Sequence, residues 1–179
     1  MPLPLLGVTV WIDERALEFI ERSSLSSPRL ETGGGLFGWS TEDGGVVACA
    51  FGPGPRAVRT PSALESDHDH TQELILAVHS TSQGRYRFVG SWHSHVGGSA
   101  RPSGTDCRTA ESMAQDSSVR LPTPMLLVVG FRRRRWLRRS RPHVTTGAFV
   151  WDTTTGMLRE ARLRSTELSD RYCPPLMVD

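Results

Sequence analysis

A largely apolar run of seven residues, 125–131 (MLLVVGF), sets the strongest limit on how this chain can fold. The run is much shorter than the roughly 20 apolar residues that a membrane-spanning helix needs. It suits a strand that is buried on both faces, as in a sheet that other elements cover on each side. The chain is therefore predicted to contain a covered sheet.

Alternating apolar residues predict further strands, and helical spacing behind a capping residue predicts helices. The predicted strands are residues 8–12, 31–39, 46–51, 87–95, 148–152 and 157–163. The predicted helices run from behind Asp13 to about residue 24, over residues 67–80, and from behind Ser103 to about residue 117. Residues 52–65 and 97–102 are predicted to be loops.

These elements predict an α/β fold in which a mixed, mostly antiparallel sheet is flanked by about three helices. No repeat or linker divides the sequence, so residues 1–179 are predicted to form a single domain, a length that suits one core. That core is expected at about residues 8–163, and residues 164–179 are expected to be a C-terminal tail.

The composition favours a cytoplasmic globular protein. Apolar residues make up 37% and charged residues 22%, and no stretch of about 18 apolar residues predicts a membrane span. The apolar start is short, is broken by two prolines and lacks a basic leader, which argues against a secretory signal. The cysteines, Cys49, Cys107 and Cys173, are odd in number and not closely paired, which favours a reducing cytoplasm over a disulfide framework.

All 21 basic residues are arginine, and six of them lie in the segment 132–139. Such a run could bind nucleic acid or attract an acidic protein partner. A solvated loop between two strands is the favoured interpretation. Nucleic-acid binding through this run is the least favoured function.

The pattern that points to chemistry consists of His93, His95 and Asp106. On a strand, residues two apart point to the same face, so both imidazoles can reach one metal ion. The glycine-containing segment 96–102 then turns the chain back, and a carboxylate at the start of the next helix can close the site. Two nitrogens and one oxygen leave a fourth position for water, which is the arrangement of a catalytic zinc.

Two other segments carry residue types that suit metal binding or nucleophilic chemistry. Residues 67–70 (DHDH) begin a predicted helix, where alternate side chains do not converge, so a solvated turn is predicted there. Cys107 suggests a cysteine hydrolase, but no separate base is apparent. A thiol buried by the helix is the preferred interpretation of Cys107.

The histidine and aspartate pattern resembles the motif of the JAMM metalloproteases, also called the JAB or MPN-plus family. Their motif is an upstream glutamate followed by His, Ser or Thr, His, seven residues, Ser, two residues and Asp. In this chain HSH at 93–95, the seven residues 96–102, Ser103 and Asp106 match in type and spacing. Glu31 opens the glycine-rich segment ETGGGLFG, where the resemblance places the upstream glutamate.

The resemblance extends over about residues 8–163 and is greatest to the prokaryotic branch of the family. It implies a single JAB/MPN domain of the cytidine-deaminase-like type. One departure is Val96, which stands where the family usually has proline. Since that proline shapes the loop and binds no metal, the departure concerns loop rigidity more than metal binding.

The resemblance also implies a role for each motif residue. One zinc ion per chain would be held by His93, His95 and Asp106. Glu31 would act as general base, and Ser103 would stabilise the developing oxyanion with its hydroxyl. A solvated carboxylate at a strand edge and a helix cap are the alternative interpretations of Glu31 and Ser103.

As substrate, the resemblance implies an amide bond after the Gly-Gly-like tail of a ubiquitin-like protein or its conjugate, with E1-like and E2-like conjugation proteins as partners. Such a tail could add to a sheet edge as an extra strand. Close approach would be allowed by Gly33, Gly34, Gly35, Gly97 and Gly98. Bacterial relatives of this kind occur beside conjugation enzymes in antiphage defence, including CBASS-type operons, which favours that setting.

Two alternatives stay open beside the isopeptidase. One is the processing of a sulfur-carrier protein in cysteine or cofactor synthesis. The other is a non-catalytic scaffold with the same fold, against which the intact set of ligand residues argues.

Overall fold

The computed structural model describes residues 7–41, 44–117, 119–132 and 143–169. Nearly all of the arginine run at 132–139 and most of the C-terminal tail lie outside the described residues. The interpretations offered for that run therefore stay predictions.

Nine strands and three helices follow one another within the described residues. The strands are β1 (Thr9–Asp13), β2 (Gly33–Thr41), β3 (Gly44–Ala50), β4 (Val58–Arg59), β5 (Leu64–Glu65), β6 (Arg87–His95), β7 (Met125–Arg132), β8 (His143–Asp152) and β9 (Met157–Thr166). The helices are α1 (Glu14–Ser26), α2 (His68–Thr81) and α3 (Gly104–Gln115). Every predicted strand and helix is present, but residues 52–65 are not wholly a loop, because β4 and β5 pair there as a short hairpin.

Seven of the strands form one mixed sheet that closes on itself in the order β1, β3, β2, β6, β7, β8, β9. Four pairings are antiparallel, β2 with β3 and β6, and β8 with β7 and β9. Three are parallel, β1 with β3 and β9, and β6 with β7. The predicted mixed sheet is confirmed. Its closure was not predicted, and it leaves this sheet without a free edge strand among the described residues.

The main core lies between α1 and the barrel strands. Ile20 of α1 is fully buried with apolar side chains of β1, β2, β6 and β7. Trp92 of β6, 1% exposed, packs edge-on against Phe19 and donates its Nε1–H to the Phe51 carbonyl oxygen at 2.9 Å. Its predicted place in the core is confirmed, and so is the burial of β7. Helix α2 packs against β2 and β6, and α3 against β8 and β9.

Each helix begins behind a side chain that accepts a hydrogen bond from a backbone amide of its first turn. Asp13 caps α1, Asp67 caps α2 and Ser103 caps α3. The caps predicted at Asp13 and Ser103 are confirmed. Asp67 Oδ1 accepts from the His70 amide of its own helix, and both carboxylate oxygens also accept from Arg56, which explains why Asp67 takes no part in a metal site.

The solvated turn predicted for residues 67–70 is wrong at Asp67. Its side chain is only 4% exposed, and the Arg56 guanidinium holds both carboxylate oxygens. The hydrogen bond from Arg56 is the main reason that the pKa of Asp67 is lowered to about 2. Asp69 also pairs with Arg56, at 2.7 Å, but stays exposed.

The predictions for two cysteines are also corrected. Cys49 is disulfide-bonded, contrary to the prediction that disfavours disulfides, so the cysteines do not support a reducing cytoplasm. Cys107 is exposed rather than buried, because α3 buries Ala110 and leaves most of its surface to solvent. In the part of the chain that the structure describes, no helix has the length and apolarity needed to cross a membrane.

We expect Asp67→Ala to lower the free energy of unfolding at pH 7, because it removes both a helix cap and the partner of Arg56. A carboxylate whose pKa falls from 3.8 to about 2 on folding stabilises the protein above pH 3.8. That contribution is lost as the pH falls toward 2. Urea unfolding at several pH values should therefore show parent and variant converging in acid. Asp69→Ala, at the exposed partner of the same arginine, should cost clearly less, and an equal loss would contradict this account.

Candidate metal centre

Strand β6 brings its two histidines to one side of the sheet. Trp92 and Ser94 are buried, whereas His93 and His95, which alternate with them, are partly exposed. This alternation follows from the two-residue period of a strand. The Nε2 atoms of His93 and His95 lie 2.9 Å apart, so the convergence predicted from the spacing is present.

Asp106 reaches the histidines from the first turn of α3. Its backbone amide donates to Ser103 Oγ at 3.3 Å, and its Oδ2 accepts from the Ser103 amide at 2.6 Å, which completes a capping box. The capping box fixes the orientation of the carboxylate through Oδ2. The other oxygen, Oδ1, lies 3.2 Å from His93 Nε2. The same residue therefore starts the helix and offers a ligand atom.

The loop after β6 sets the orientation of the His95 ring. His95 Nδ1 lies 3.1 Å from the Ser99 carbonyl oxygen. Because a carbonyl can only accept, Nδ1 carries the hydrogen and Nε2 is left to bind a metal. The loop turns at Gly97, with a φ of +66°, and the Gly98 amide donates to the His95 carbonyl at 3.3 Å.

The spacing of the three side chains fits zinc. Zinc bonds of 2.0–2.1 Å in tetrahedral geometry put neighbouring ligand atoms about 3.3 Å apart. Here the imidazole nitrogens are 2.9 Å apart, and the Asp106 oxygens lie 3.2 Å from His93 and 3.4 Å from His95. Two imidazole lone pairs this close repel each other unless a proton or a metal ion lies between them. Three protein ligands leave one tetrahedral position for water.

The electrostatics of the group favour a positive charge at its centre. Burial raises the pKa of Asp106, but the hydrogen bonds from His93 and His95 outweigh it and lower that pKa overall. The hydrogen bond to Asp106 in turn raises the pKa of His95. The carboxylate is therefore held charged, and a divalent ion can take the place of the proton between the histidines.

A cavity of about 700 Å³ surrounds the three candidate ligands, and Glu31 and Ser103 line it with them. Burial raises the pKa of the Glu31 carboxyl, although the nearby histidines offset part of this effect. Two further walls come from the β4–β5 hairpin and from α3. The hairpin was not predicted, because proline and serine at its tip resemble an irregular loop.

Ser94 ties Glu31's segment to the ligand strand. Its Oγ accepts from the Thr32 amide at 3.2 Å, and its own amide donates to the Thr32 carbonyl at 2.7 Å. Ser94 is fully buried, on the face opposite the histidines, so its predicted structural role is confirmed. These two bonds hold the residue next to Glu31 beside β6.

The glycines of β2 make room for the protein's own backbone. A Cβ on Gly33 would lie 2.3 Å from the Trp92 carbonyl oxygen, and one on Gly34 would lie 2.0 Å from the Phe51 carbonyl oxygen. Packing alone therefore requires glycine at both positions. Their part in substrate binding, and that of Gly35, stays a prediction.

Two glycines that were not predicted as site residues support the ligand loop between His95 and Ser103. A Cβ on Gly130 of β7 would lie 2.5 Å from the Ala100 amide nitrogen, and one on Gly147 of β8 would lie 2.3 Å from the Ala100 carbonyl oxygen. The loop between His95 and Ser103 therefore rests directly on these strands. Gly130 is an isolated glycine within the predicted strand 125–131, which is a signal that could have found it. Gly147 lies just before the predicted strand 148–152 and carried no such signal, because β8 begins earlier than predicted.

We expect Asp106→Ala to reduce bound zinc from about one ion per chain to nearly none, because two imidazoles alone hold zinc weakly. Asp106→Asn keeps an acceptor for the Ser103 amide, so its zinc content separates loss of the ligand from loss of the cap. Metal analysis of the purified proteins measures both. Cys107→Ala, at the exposed neighbour, should retain zinc. Stoichiometric zinc in Asp106→Ala would show that Asp106 is not a ligand.

Gly147→Ala should weaken zinc binding about 10- to 100-fold, the range seen when groups that orient metal ligands are changed. The added methyl would collide with Ala100 and displace the loop that orients His95. Competition with a chromophoric chelator gives the affinity. Gly52→Ala is the matched control, since a Cβ there meets nothing within 4 Å. Equal zinc affinities for the two variants would show that the loop does not determine the geometry of the metal site.

Comparison with known proteins agrees with this site. The family model for prokaryotic homologs of the JAB domain matches residues 14–140. A Sinorhizobium fredii protein named a probable metalloprotease is 28% identical over 140 residues, which cover 77% of this chain and 83% of that protein. An Enterobacter hormaechei protein named CD-NTase/cGAS isopeptidase is 27% identical over 126 residues, 68% of this chain and 67% of that protein.

A solved structure supports the fold alone. The solution structure of a Desulfitobacterium hafniense protein covers 89% of this chain and 94% of its own, with a TM-score of 0.63 at 17% identity. The family model, by contrast, spans well over half of the chain and includes all three candidate ligands. The chain therefore belongs to the family of prokaryotic JAB-domain homologues and carries the ligand set of a metal-dependent hydrolase.

Proposed function

We propose that this protein is a zinc-dependent isopeptidase that hydrolyses the amide bond after the C-terminal tail of a ubiquitin-like protein or its conjugate. The observation that carries the proposal is the group His93, His95 and Asp106, whose ligand atoms lie within 4.8 Å of one another, with Glu31 beside it in one open cavity. A scaffold without catalysis would have no need of this arrangement.

Glu31 is suited to move the proton. Zinc, when bound by the three ligands, would act as a Lewis acid that lowers the pKa of a bound water and polarises the scissile carbonyl. The Glu31 carboxylate can accept a proton from the attacking water and pass it to the leaving amine. Partial burial, which raises its pKa, brings Glu31 closer to the range in which both transfers are efficient.

Ser103 can serve the helix and the reaction together. Its Oγ uses a lone pair to accept the Asp106 amide, so the hydroxyl hydrogen can still be donated. Because Ser103 also lines the cavity, that hydrogen can stabilise negative charge as it develops on the carbonyl oxygen. The capping and oxyanion roles are thus compatible.

The hairpin is the best place for an extended substrate tail. The barrel is closed, so a tail cannot pair with its strands as an edge, whereas β5 is the edge of a separate two-stranded sheet beside the cavity. Apolar side chains of the hairpin, including Leu64, and of α3, including Met113, line the cavity. A small-residue tail could pair with β5 and still bring its last carbonyl close to the ligands. The sheet edge to which the tail is predicted to add is therefore proposed to be that of this hairpin.

The target class is inferred from a relative. The name CD-NTase/cGAS isopeptidase supports a conjugate of a signalling enzyme as substrate and a bacterial antiphage conjugation system as setting. E1-like and E2-like proteins would then be partners that make the bond this enzyme cleaves. No observation on this chain favours the sulfur-carrier alternative over that setting.

Glu31→Gln should lower turnover at least about 100-fold, because general acid–base catalysis contributes about 10²- to 10⁴-fold. Its zinc content should stay at the parental level, since Glu31 is not among the three ligands. The substrates are ubiquitin-like proteins carrying a fluorogenic amide on the C-terminal glycine. Glu111→Gln, an exposed glutamate on α3, is the control and should cleave normally.

Two outcomes would count against the proposal in different ways. Parental turnover by Glu31→Gln would remove Glu31 as the base. Failure of the zinc-loaded parent to cleave any of the amides would remove the isopeptidase assignment itself.

A further inference from the structure

The backbone of Glu31 is held by the β4–β5 hairpin. Glu31 lies two residues before β2 begins and so is outside the barrel's hydrogen bonding. Its amide donates to the Thr60 carbonyl at 2.9 Å, and its carbonyl accepts from Arg59 Nε at 2.9 Å. Both main-chain groups of the residue are therefore satisfied by two consecutive hairpin residues.

Arg59 is itself anchored at a second point. Its terminal amino group donates to the Ser27 hydroxyl, at the C-terminal cap of α1. One planar guanidinium thus bridges the end of α1 and the Glu31 carbonyl. A lysine could not reproduce this, because its ammonium is a single point of donation on a flexible stem.

The hairpin also contacts the candidate site directly. Arg59 pairs with Leu64 of β5, and Leu64 lines the cavity, whereas Arg59 does not. On its other side, the Glu31 segment is fixed to β6 through Thr32 and Ser94. The carboxylate of Glu31 therefore has its position set by two anchors, one on the ligand strand and one on Arg59.

We propose that Arg59 is a positioning residue that holds the Glu31 carboxylate at the metal centre through the Glu31 main chain. This inference rests on the proposed function, in which Glu31 moves the proton. Arg59 touches neither ligand nor cavity, so its loss should lower kcat while leaving zinc content and KM nearly unchanged. A residue that served folding alone would not produce that separation.

Arg59→Met keeps the aliphatic stem and removes every donor. We expect kcat to fall about tenfold or more, since a 1 Å misplacement can cost about 10²-fold, with KM changed less than about twofold. Arg59→Lys, which keeps the charge and one donor, should fall between Met and the parent. Arg56→Met is the matched control, because Arg56 lies three residues earlier and pairs with Asp67 and Asp69 instead.

Hydrogen exchange gives a readout that needs no substrate. In the zinc-loaded protein, the Glu31 amide should exchange about tenfold faster in Arg59→Met than in the parent, because its hydrogen bond to Thr60 opens more often. The Ser94 amide, bonded to Thr32, should be unchanged. Parental kcat together with parental Glu31 exchange in Arg59→Met would overturn the proposal.

Two further outcomes, a variant that does not fold and a parent that does not cleave, also have a defined interpretation. If Arg59→Met does not fold or loses zinc, Arg59→Lys must still show faster Glu31 exchange and a lower kcat, and parental values for both would overturn the proposal. If the parent cleaves no ubiquitin-like amide, the proposed function fails, while the exchange at Glu31 still tests the anchor. If the parent cleaves normally and Arg59→Met keeps the parental kcat and Glu31 exchange, only the role of Arg59 is contradicted, and the proposed function stands.

Discussion

The close approach of two imidazole nitrogens and a carboxylate is the constraint on which the site depends. The two Nε2 atoms lie 2.9 Å apart, Asp106 Oδ1 lies 3.2 Å from His93 Nε2, and Asp106 Oδ2 lies 3.4 Å from His95 Nε2, so a proton or a metal ion must lie between the imidazoles. The fold holds this group together because β6, between β2 and β7, cannot shift its register without moving every buried side chain to the wrong face. That rigidity keeps the candidate ligands of β6 in place.

Residues around the candidate metal centre hold neighbouring elements in place and, in the proposed mechanism, also take part in the chemistry. Ser103 and Asp106 start α3 and also present the hydroxyl and the carboxylate. Ser94 joins β6 to the Glu31 segment from the buried face, while its neighbours carry the metal-binding nitrogens from the other. A substitution at these positions therefore acts on folding and function at once, which is why matched controls are needed to separate the two.

Closure of the barrel changes how a protein substrate could be recognised. Within the described residues the closed sheet has no free edge strand, whereas the small β4–β5 hairpin beside the cavity does. The same hairpin holds the Glu31 main chain through Arg59 and Thr60. Binding of an extended tail and placement of the base would then depend on one element.

The sequence alone determined those features of the site that depend on short-range backbone geometry. The two-residue period of a strand aligned His93 with His95, and a capping residue three positions before Asp106 placed it in a first helical turn. The resemblance of the motif supplied Glu31, which spacing could not. Only the tertiary structure decided the closed barrel, the burial of Asp67 and the Cys49 disulfide. It also decided the packing of the ligand loop on Gly147 and the hydrogen bond from Arg59 to the Glu31 carbonyl. The barrel pairings, the contact of Gly147 with Ala100 and the hydrogen bond of Arg59 to Glu31 join residues far apart along the chain. No local pattern specifies which distant backbone will lie against which side chain.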